Sequence, residues 1–105
     1  MISRIWHGYT TWEKADDYED LLKKEIFMGI ANRSIQGYRG IELLRRNLGN
    51  EVEFITIMWF DSIDAVRDFA GEDYEQAVVP AHARLLLSRY DDRSQHYEVK
   101  HKFQL

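Results

Sequence analysis

The stretch Glu51-Val52-Glu53-Phe54-Ile55-Thr56-Ile57-Met58-Trp59-Phe60 decides the fold of this chain. Successive side chains of a β-strand point to opposite faces of the sheet, so this strand has two faces to fill. One face carries Val52, Phe54, Thr56, Met58 and Phe60, and the other carries Glu53, Ile55, Ile57 and Trp59. A strand with one face in water alternates apolar and polar residues, whereas this strand is largely apolar on both faces. We therefore predict that residues 51–60 are covered on both sides.

The elements around this strand follow in a recognisable order. Alternation predicts a first strand over Ile2–Thr10, and Leu48-Gly49-Asn50 is a turn that joins a strand over 40–47 to the strand over 51–60. A last strand is predicted over about 94–100. With two helices between these strands, the order is β-α-β-β-α-β in one domain over residues 1–105. That order is the ferredoxin-like α+β arrangement, a four-stranded antiparallel sheet with both helices on one face.

The two helices are predicted from their apolar spacing. The first is predicted to follow Thr10, whose spacing to Glu13 fits a capping box, and to run to about residue 30. Its apolar stripe has steps of three and four residues, typical of an α-helix. The members of that stripe are Ala15, Tyr18, Leu21, Leu22, Ile26 and Gly29. The second helix begins after Asp61 or Ser62 and ends at Gly71. Residues 72–81 are predicted to form an irregular helical turn that closes near Pro80.

A homodimer follows from the apolar strand over 51–60. The two helices cover only one face of the sheet, and leaving four or five large side chains of the other face in water would forgo about 1.5–3 kcal/mol each. The simplest cover is a second copy of the same sheet, packed face to face about a two-fold axis. The alternative is a monomer whose C-terminal segment folds over the open face.

Composition and charge narrow the function classes. The chain has 105 residues, 14 basic and 18 acidic side chains, a formal charge of −4 and no cysteine. The acidic balance disfavours nucleic acid and anionic membranes as partners. The missing cysteines exclude disulfides, thiolate catalysis and cysteine-bound zinc or iron–sulfur clusters. No apolar run is long enough to cross a bilayer, and the start lacks the apolar stretch of a signal peptide, so a cytoplasmic location is the expectation.

Four short strings resemble the antibiotic-biosynthesis-monooxygenase superfamily. They are Arg4-Ile5-Trp6-His7-Gly8, Trp59-Phe60-Asp61-Ser62, Phe69-Ala70-Gly71-Glu72-Asp73 and His96-Tyr97-Glu98-Val99. The resemblance covers residues 2–99 and implies a dimeric α+β barrel. The superfamily includes cofactor-independent oxygenases of polycyclic phenols, quinol oxygenases, haem-degrading enzymes and members with no shown activity, so the fold alone does not fix the function.

The haem-degrading branch of that superfamily implies a specific set of positions. It uses an Asn on the first strand, a Trp on the second helix and a His shortly afterwards as the iron ligand. In this chain the first two positions fall on His7 and Phe69. The third falls near Val79, or on His82 if one extra turn is inserted around Pro80. Two positions depart from the pattern, although an imidazole such as His82 is able to ligate iron.

His7 is the predicted catalytic residue. It lies in the first strand between Trp6 and Gly8, where an imidazole needs a partner or a ligand. As a general base near neutral pH, it would take a proton from a phenol-type substrate. The resulting electron-rich anion would react with O2 directly. The alternative is a structural His that is hydrogen-bonded to the backbone.

Four further residues are predicted to bind the substrate. Trp59 and Phe69 would flank a cavity between sheet and helices and stack on an aromatic ring, unless they only fill the core. Tyr74 and His82 follow the second helix in a segment that is suited to form a lid. In the last strand, His96 and Glu98 share one face. They either form an acid/base pair or are polar residues on an exposed edge strand.

These residues lead to one function and two alternatives. The first is a monooxygenase that acts with O2, and with no bound cofactor or metal, on a small hydrophobic molecule of aromatic or quinol type. The second is a non-catalytic barrel that binds a small ligand. The third is a haem-binding or haem-degrading enzyme with His82 as the ligand.

Overall fold

The computed structural model describes residues 1–104 as a five-stranded antiparallel sheet with helices on one face. The strands are β1 (Ile2–Thr10), β2 (Tyr38–Asn47), β3 (Val52–Phe60), β4 (Arg89–Tyr90) and β5 (Gln95–Glu98). The helices are α1 (Trp12–Leu21), a π-helical turn (Leu22–Ile26), α2 (Phe27–Asn32), α3 (Ile63–Ala70) and α4 (Ala81–Leu86). The predicted ferredoxin-like α+β fold is confirmed.

The centre of the sheet is the pair β1–β3. In the sheet, β3 lies between β2 and β1, and β1 pairs with β4 and β5 in succession. Gly8 lies opposite Tyr90, and Ile5 lies opposite Gln95. The predicted last strand over 94–100 corresponds to β5, and β4 is an additional short strand that the sequence did not predict; residues 91–94 connect the two.

The core lies between the helices and one face of the sheet. It consists of two clusters, one under α3 and the other under α1 and α4. The first contains Ile2, Met58, Phe60, Ala65, Val66 and Phe69. The second contains Ala15, Tyr18, Leu22, Val52, Phe54 and Ala83. Tyr18 and Phe54 meet edge to face, with ring centroids 4.9 Å apart.

The opposite face of the sheet, which we call the open face, carries the remaining strand side chains. They include Ile5, His7 and Tyr9 of β1, Glu42 and Leu44 of β2, and Glu53, Ile55, Ile57 and Trp59 of β3. The β3 residues of this face are all partly exposed, whereas Val52, Phe54, Met58 and Phe60 are buried. The predicted two-faced apolar character of β3 is thus present in the structure.

Both predicted ends of the second helix are confirmed, whereas the predicted start of the first helix is wrong. Ser62 caps α3, since its hydroxyl accepts a hydrogen bond from the Ala65 amide at 3.2 Å, and Gly71 ends the helix with φ 96°. The capping box of Thr10 is wrong. Thr11 is the N-cap residue of α1 and makes no side-chain cap, and Thr10 is the last residue of β1 with a buried hydroxyl that has no partner among residues 1–104.

The segment after α3 also differs from the prediction. Residues 72–80 form no helix, and the helical turn comes after Pro80 instead, as α4. Pro80 is the N-cap residue of that helix, a place where its missing amide costs nothing. Residues 75–77 lie along the split between β4 and β5, where the Ala77 amide donates to the Asp92 carbonyl at 2.9 Å. Within residues 1–104, no helix has the length and apolar character required to span a bilayer.

Candidate functional site

A cavity of about 60 Å³ lies between the sheet and the helices. Its wall is mostly apolar, and three charged or small polar residues also line it: Arg4 and Ser94 at the β1–β5 side, and Thr56 of β3. The other lining residues are Trp6, Tyr18, Leu22, Ile26, Phe27, Ile30, Ile41, Met58, Phe69, Val78, Val79, Pro80 and Ala83. An apolar wall with a few polar groups is the usual composition of a small-molecule site.

Alternation in β1 aims Arg4 and Trp6 at this cavity. The Trp6 indole donates a hydrogen bond to the Asp91 carbonyl at 2.8 Å and lies across Gly8. A Cβ atom at Gly8 would be 2.7 Å from the Trp6 ring, which is closer than real Cβ atoms come. Glycine at this position therefore allows the indole to lie flat along the strand and form a wall of the cavity.

The π-helical turn forms the opposite wall. Each backbone hydrogen bond of a π-helix spans one residue more than in an α-helix, and such turns are frequent at functional sites. Leu22 and Ile26 are its first and last residues, and Phe27 and Ile30 follow in α2. All four line the cavity. The predicted apolar stripe through Gly29 is wrong at that residue, because Gly29 is exposed and Ile30 takes its place.

Arg4 is a buried cation at the end of the cavity, with 3% of its surface exposed. Its Nη1 donates to the Tyr74 carbonyl and to His96 Nε2 at 3.0 Å, and its Nη2 donates to the Gln76 carbonyl at 3.0 Å. Among residues 1–104, no carboxylate forms an ion pair with it. Burial lowers the pKa of Arg4 to about 10, and the guanidinium is still charged at neutral pH.

His96 is the neutral partner of this guanidinium. Burial, and after it the charge of Arg4, lowers the pKa of His96 to about 4. Because an arginine only donates, Nε2 of His96 accepts and the proton is on Nδ1. That Nδ1 is buried and has no hydrogen-bond partner among residues 1–104. His96 and Glu98 do not form an acid/base pair, because Glu98 forms an ion pair with Lys100 at 2.7 Å.

Phe69 lies between two guanidinium groups. The Cζ atoms of Arg4 and Arg33 are 5.4 and 5.2 Å from the centroid of its ring. Arg33 is held at the surface, since it donates to the carbonyls of Asp68 and Phe69 at 3.1 and 3.2 Å. The predicted wall residue Phe69 therefore lines the cavity, and it does so as part of a stack with two cations.

A surface groove of about 310 Å³ adjoins the cavity. The two share a partition made of Ile26, Ile30, Phe69, Val78 and Pro80. Val78 is 48% exposed although it is apolar. Val78 lies in a connecting segment, and the groove and the cavity are neighbouring spaces that these five side chains separate.

The structure places His7 away from this cavity. Its side chain is on the open face, where Nδ1 lies 2.7 Å from Oδ2 of Asp91. The Asp91 carboxylate also accepts from the His7 amide at 3.2 Å. The sheet therefore separates His7 from Arg4 and Trp6. Its predicted role as a base is not tested by this arrangement, but a molecule in the cavity is out of its reach.

Trp59 and Phe69 do not flank one cavity, because they are on opposite faces of the sheet. Trp59 is on the open face, and its indole donates to Glu42 at 3.0 Å. It lines a separate groove of about 720 Å³, whose other wall is formed by the C-terminal residues 98–102. The expectation that both residues enclose one substrate within a single chain is therefore wrong.

Tyr74 contacts the site through its backbone carbonyl, which binds Arg4. Its carbonyl accepts from Arg4, and its ring meets the His96 ring edge to face, with centroids 5.1 Å apart. The Arg67 guanidinium lies 5.3 Å from the same ring. Tyr74, which the sequence predicts as a substrate-binding residue, thus holds the buried arginine through its carbonyl, and its side chain does not line the cavity.

His82 and haem do not fit this site. His82 is exposed on α4 and lines a surface groove with Asp17, Asp20 and Glu25 rather than the cavity. No imidazole lines the cavity, so no histidine there is placed to ligate a haem iron. Among residues 1–104, no group of three or more His, Cys, Asp or Glu side chains is placed to hold a metal ion.

Arg4 is the one charged residue of the cavity wall, and it is not among the site residues predicted from the sequence. The signal was present, since Arg4 shares a strand face with Ile2 and Trp6, and a charge on a core-facing position is rare. The two apolar faces of β3 gave no means of telling which face of β1 the helices cover.

The comparisons with known proteins concern the fold. No protein-family model matches the chain, and no curated protein matches it in sequence. Among solved structures, a Bacillus cereus protein classed as an antibiotic biosynthesis monooxygenase is 12% identical with a TM-score of 0.68. The match covers 99% of this chain and 97% of that one.

Two structures from Mycobacterium tuberculosis are similar in the same way. Rv0793 is 16% identical with a TM-score of 0.65, and the match covers 98% of each chain. The haem degrader MhuD, solved with two haems in its active site, is 17% identical with a TM-score of 0.60, over 99% of this chain and 100% of that one. The chain shares its fold with these three proteins, which agrees with the fold that the sequence resemblance implied.

Proposed function

We propose that this protein is a monooxygenase that binds a small aromatic or quinol-like molecule between the sheet and the helices and oxidises it with O2. The observation that carries the proposal is the cavity itself. Trp6, Phe27 and Phe69 line it with aromatic surface, and Arg4 provides one polar end. Flat rings stack well on such walls. The shared fold with a protein classed as a monooxygenase supports the same conclusion.

The reaction has a simple balance. Oxidation of a phenol to a quinone inserts one oxygen atom of O2 and releases the other as water. The substrate supplies all the electrons, so no external reductant is required. The protein would position the ring against Phe69 and Trp6 and keep bulk water out of the cavity.

We further propose that the protein works as a homodimer through the open face. Ile5, Ile55 and Ile57 form an apolar strip at its centre, and Leu44 is 43% exposed beside it. The hydrogen bond between His7 and Asp91 lies beside this strip, since His7 is opposite Ile55 in the sheet. The alternative cover, the C-terminal segment, lies beside Trp59.

An oxygen-electrode assay with hydroquinones and polycyclic phenols tests the function. We expect O2 uptake that falls at least about tenfold in Phe69→Ala, because the ring that positions the substrate is lost. Leu85→Ala is the matched control, since Leu85 is 73% exposed on α4 and outside the cavity. His7→Ala should keep its rate if the cavity is the site. Absence of O2 uptake with every substrate would contradict the proposal.

One observation favours a second candidate, a non-catalytic small-molecule binder. Within residues 1–104, the cavity lining contains no carboxylate and no imidazole, so no ordinary general base faces a bound molecule. This candidate predicts that ligands raise the melting temperature of the protein without turnover. The oxygen assay and a thermal-shift assay on the same compounds separate the two candidates.

A further inference from the structure

We propose that the cavity is a binding site for an aromatic molecule with an ionised oxygen, a carboxylate or a phenolate, and that the guanidinium of Arg4 is the partner of that anion. This inference rests on the proposed function in one respect, because both place the ligand in the same cavity between the sheet and the helices. It goes further by naming the charge of the ligand and the residue that recognises it.

The first argument is that Arg4 lacks a counter-charge although the chain has many carboxylates. Five other arginines form ion pairs on the surface with Asp or Glu. They are Arg39, Arg45, Arg67, Arg89 and Arg93. Arg4 is buried, yet its partners are two carbonyls and one imidazole. A buried charge without a counter-ion is destabilising, so its presence calls for a compensating function.

The second argument is the way in which Arg4 is held. Its Nη1 and Nη2 are fixed by acceptors in residues 74–76 and β5, and no hydrogen bond involves its Nε among residues 1–104. These neutral partners orient the guanidinium without neutralising it. A pre-oriented guanidinium that lines a cavity is well suited to bind a carboxylate or phenolate oxygen, because charge-assisted hydrogen bonds are the stronger kind.

The third argument is the surface around Arg4. Phe69 stacks on the guanidinium, and the rest of the wall is apolar. An inorganic anion would gain nothing from that wall, whereas an aromatic acid would fill it and present its charge to Arg4. The adjoining groove of about 310 Å³ supplies the volume that the closed cavity lacks. Movement of Val78 and Pro80 would join the two spaces.

Arg4 has one competing explanation, which is purely structural. It ties β1 to residues 74–76, and this tie alone would explain its burial. The two explanations differ in a measurable way. A structural tie predicts no preference between ligands of the same shape and different charge, whereas an anion site predicts a strong one.

The experiment compares benzoate with benzamide, which have the same shape and differ in charge. Calorimetric titration of the full chain at pH 7 should show benzoate binding about tenfold to a hundredfold more tightly. Arg4→Met should abolish this preference, and Arg4→Lys should keep part of it because the charge remains. Arg39→Met is the matched control, since Arg39 is a surface arginine paired with Asp61 that lines neither the cavity nor the adjoining groove, and it should leave the preference unchanged.

If Arg4→Met fails to fold, the comparison of benzoate with benzamide on the wild-type protein still tests the proposal. Equal affinity for the two probes, a preference that survives in Arg4→Met, or binding of neither probe at millimolar concentration would each overturn the proposal. The oxygen assay separates this result from the proposed function. Turnover of neutral quinols without a preference for benzoate would support the monooxygenase activity and contradict the anion site. A benzoate preference that depends on Arg4, without any turnover, would support the anion site and contradict the monooxygenase activity.

Discussion

At the scale of single residues, the cavity depends on close contacts that only particular side chains allow. Gly8 lies between the Trp6 ring and the Leu87 side chain, and a Cβ atom there would be 2.7 and 2.9 Å from them. The ring is restrained from moving aside, because the Trp6 indole donates a hydrogen bond to the Asp91 carbonyl at 2.8 Å. This position should therefore tolerate no larger residue than glycine.

We expect Gly8→Ala to lower the free energy of unfolding by about 1–3 kcal/mol, because the added methyl group overpacks the Trp6 wall. Gly29→Ala is the matched control. Nothing lies within 4 Å of a Cβ atom at Gly29, and this helical glycine should gain about 0.5–1 kcal/mol when replaced. Urea denaturation of both variants measures the difference. A Gly8→Ala protein as stable as the wild type would show that the Trp6 ring is not held as described.

His96 should make the stability of the protein depend on pH. Burial, with the charge of Arg4 as the second cause, lowers its pKa from 6.5 to about 4 in the folded state. Between those values the unfolded chain binds a proton at this position and the folded chain does not. Stability should therefore fall as the pH drops from about 6.5 towards 4.

The variant His96→Gln isolates this contribution, because every carboxylate titrates in both proteins. The stability of the wild type relative to the variant should be highest above pH 6.5 and should decrease towards pH 4. Thermal unfolding at several pH values measures the difference. A difference that does not vary with pH would contradict the shifted pKa.

At the scale of elements, periodicity predicts the strands and the existence of the two main helices. Ser62 and Gly71 bound α3 as their chemistry predicts. The π-helical turn escapes prediction because an apolar spacing of four residues fits either helix type, and packing against the sheet decides. The two residues of β4 are too few to show alternation, and α4 is decided by Pro80, which ends one segment and begins the next.

At the scale of the whole molecule, the sheet has two apolar faces. This property makes the covering of both faces predictable from the sequence, but it does not make the side of the helices predictable. It indicates that each face is covered. It does not say which side the helices take, because the residue types on the two sides are similar. For that reason the sequence predicts Trp59 and Phe69 in one cavity with His7 near it, whereas Trp59 and Phe69 lie on opposite faces and the sheet separates His7 from the cavity.

We expect the protein to be a dimer in solution and Ile57→Lys to dissociate it. Ile57 lies at the centre of the open face opposite Ile5, and a lysine there would be buried without a partner. Light scattering after size exclusion at micromolar concentration measures the mass. Leu85→Lys, on the exposed side of α4, should remain a dimer. A wild-type protein of monomeric mass would contradict the proposal and would favour the C-terminal segment as the cover.

The turn at Leu22–Ile26 has a consequence for how such a protein changes over evolution. One residue corresponds to about 100° of rotation in a helix, so removal of one residue from this turn would rotate everything after it. Phe27 and Ile30 would then leave the pocket wall, while the sheet and the first half of the helix kept their places. A deletion or insertion here would reshape the chamber in one step, so chain length within this turn should distinguish relatives that accept ligands of different size.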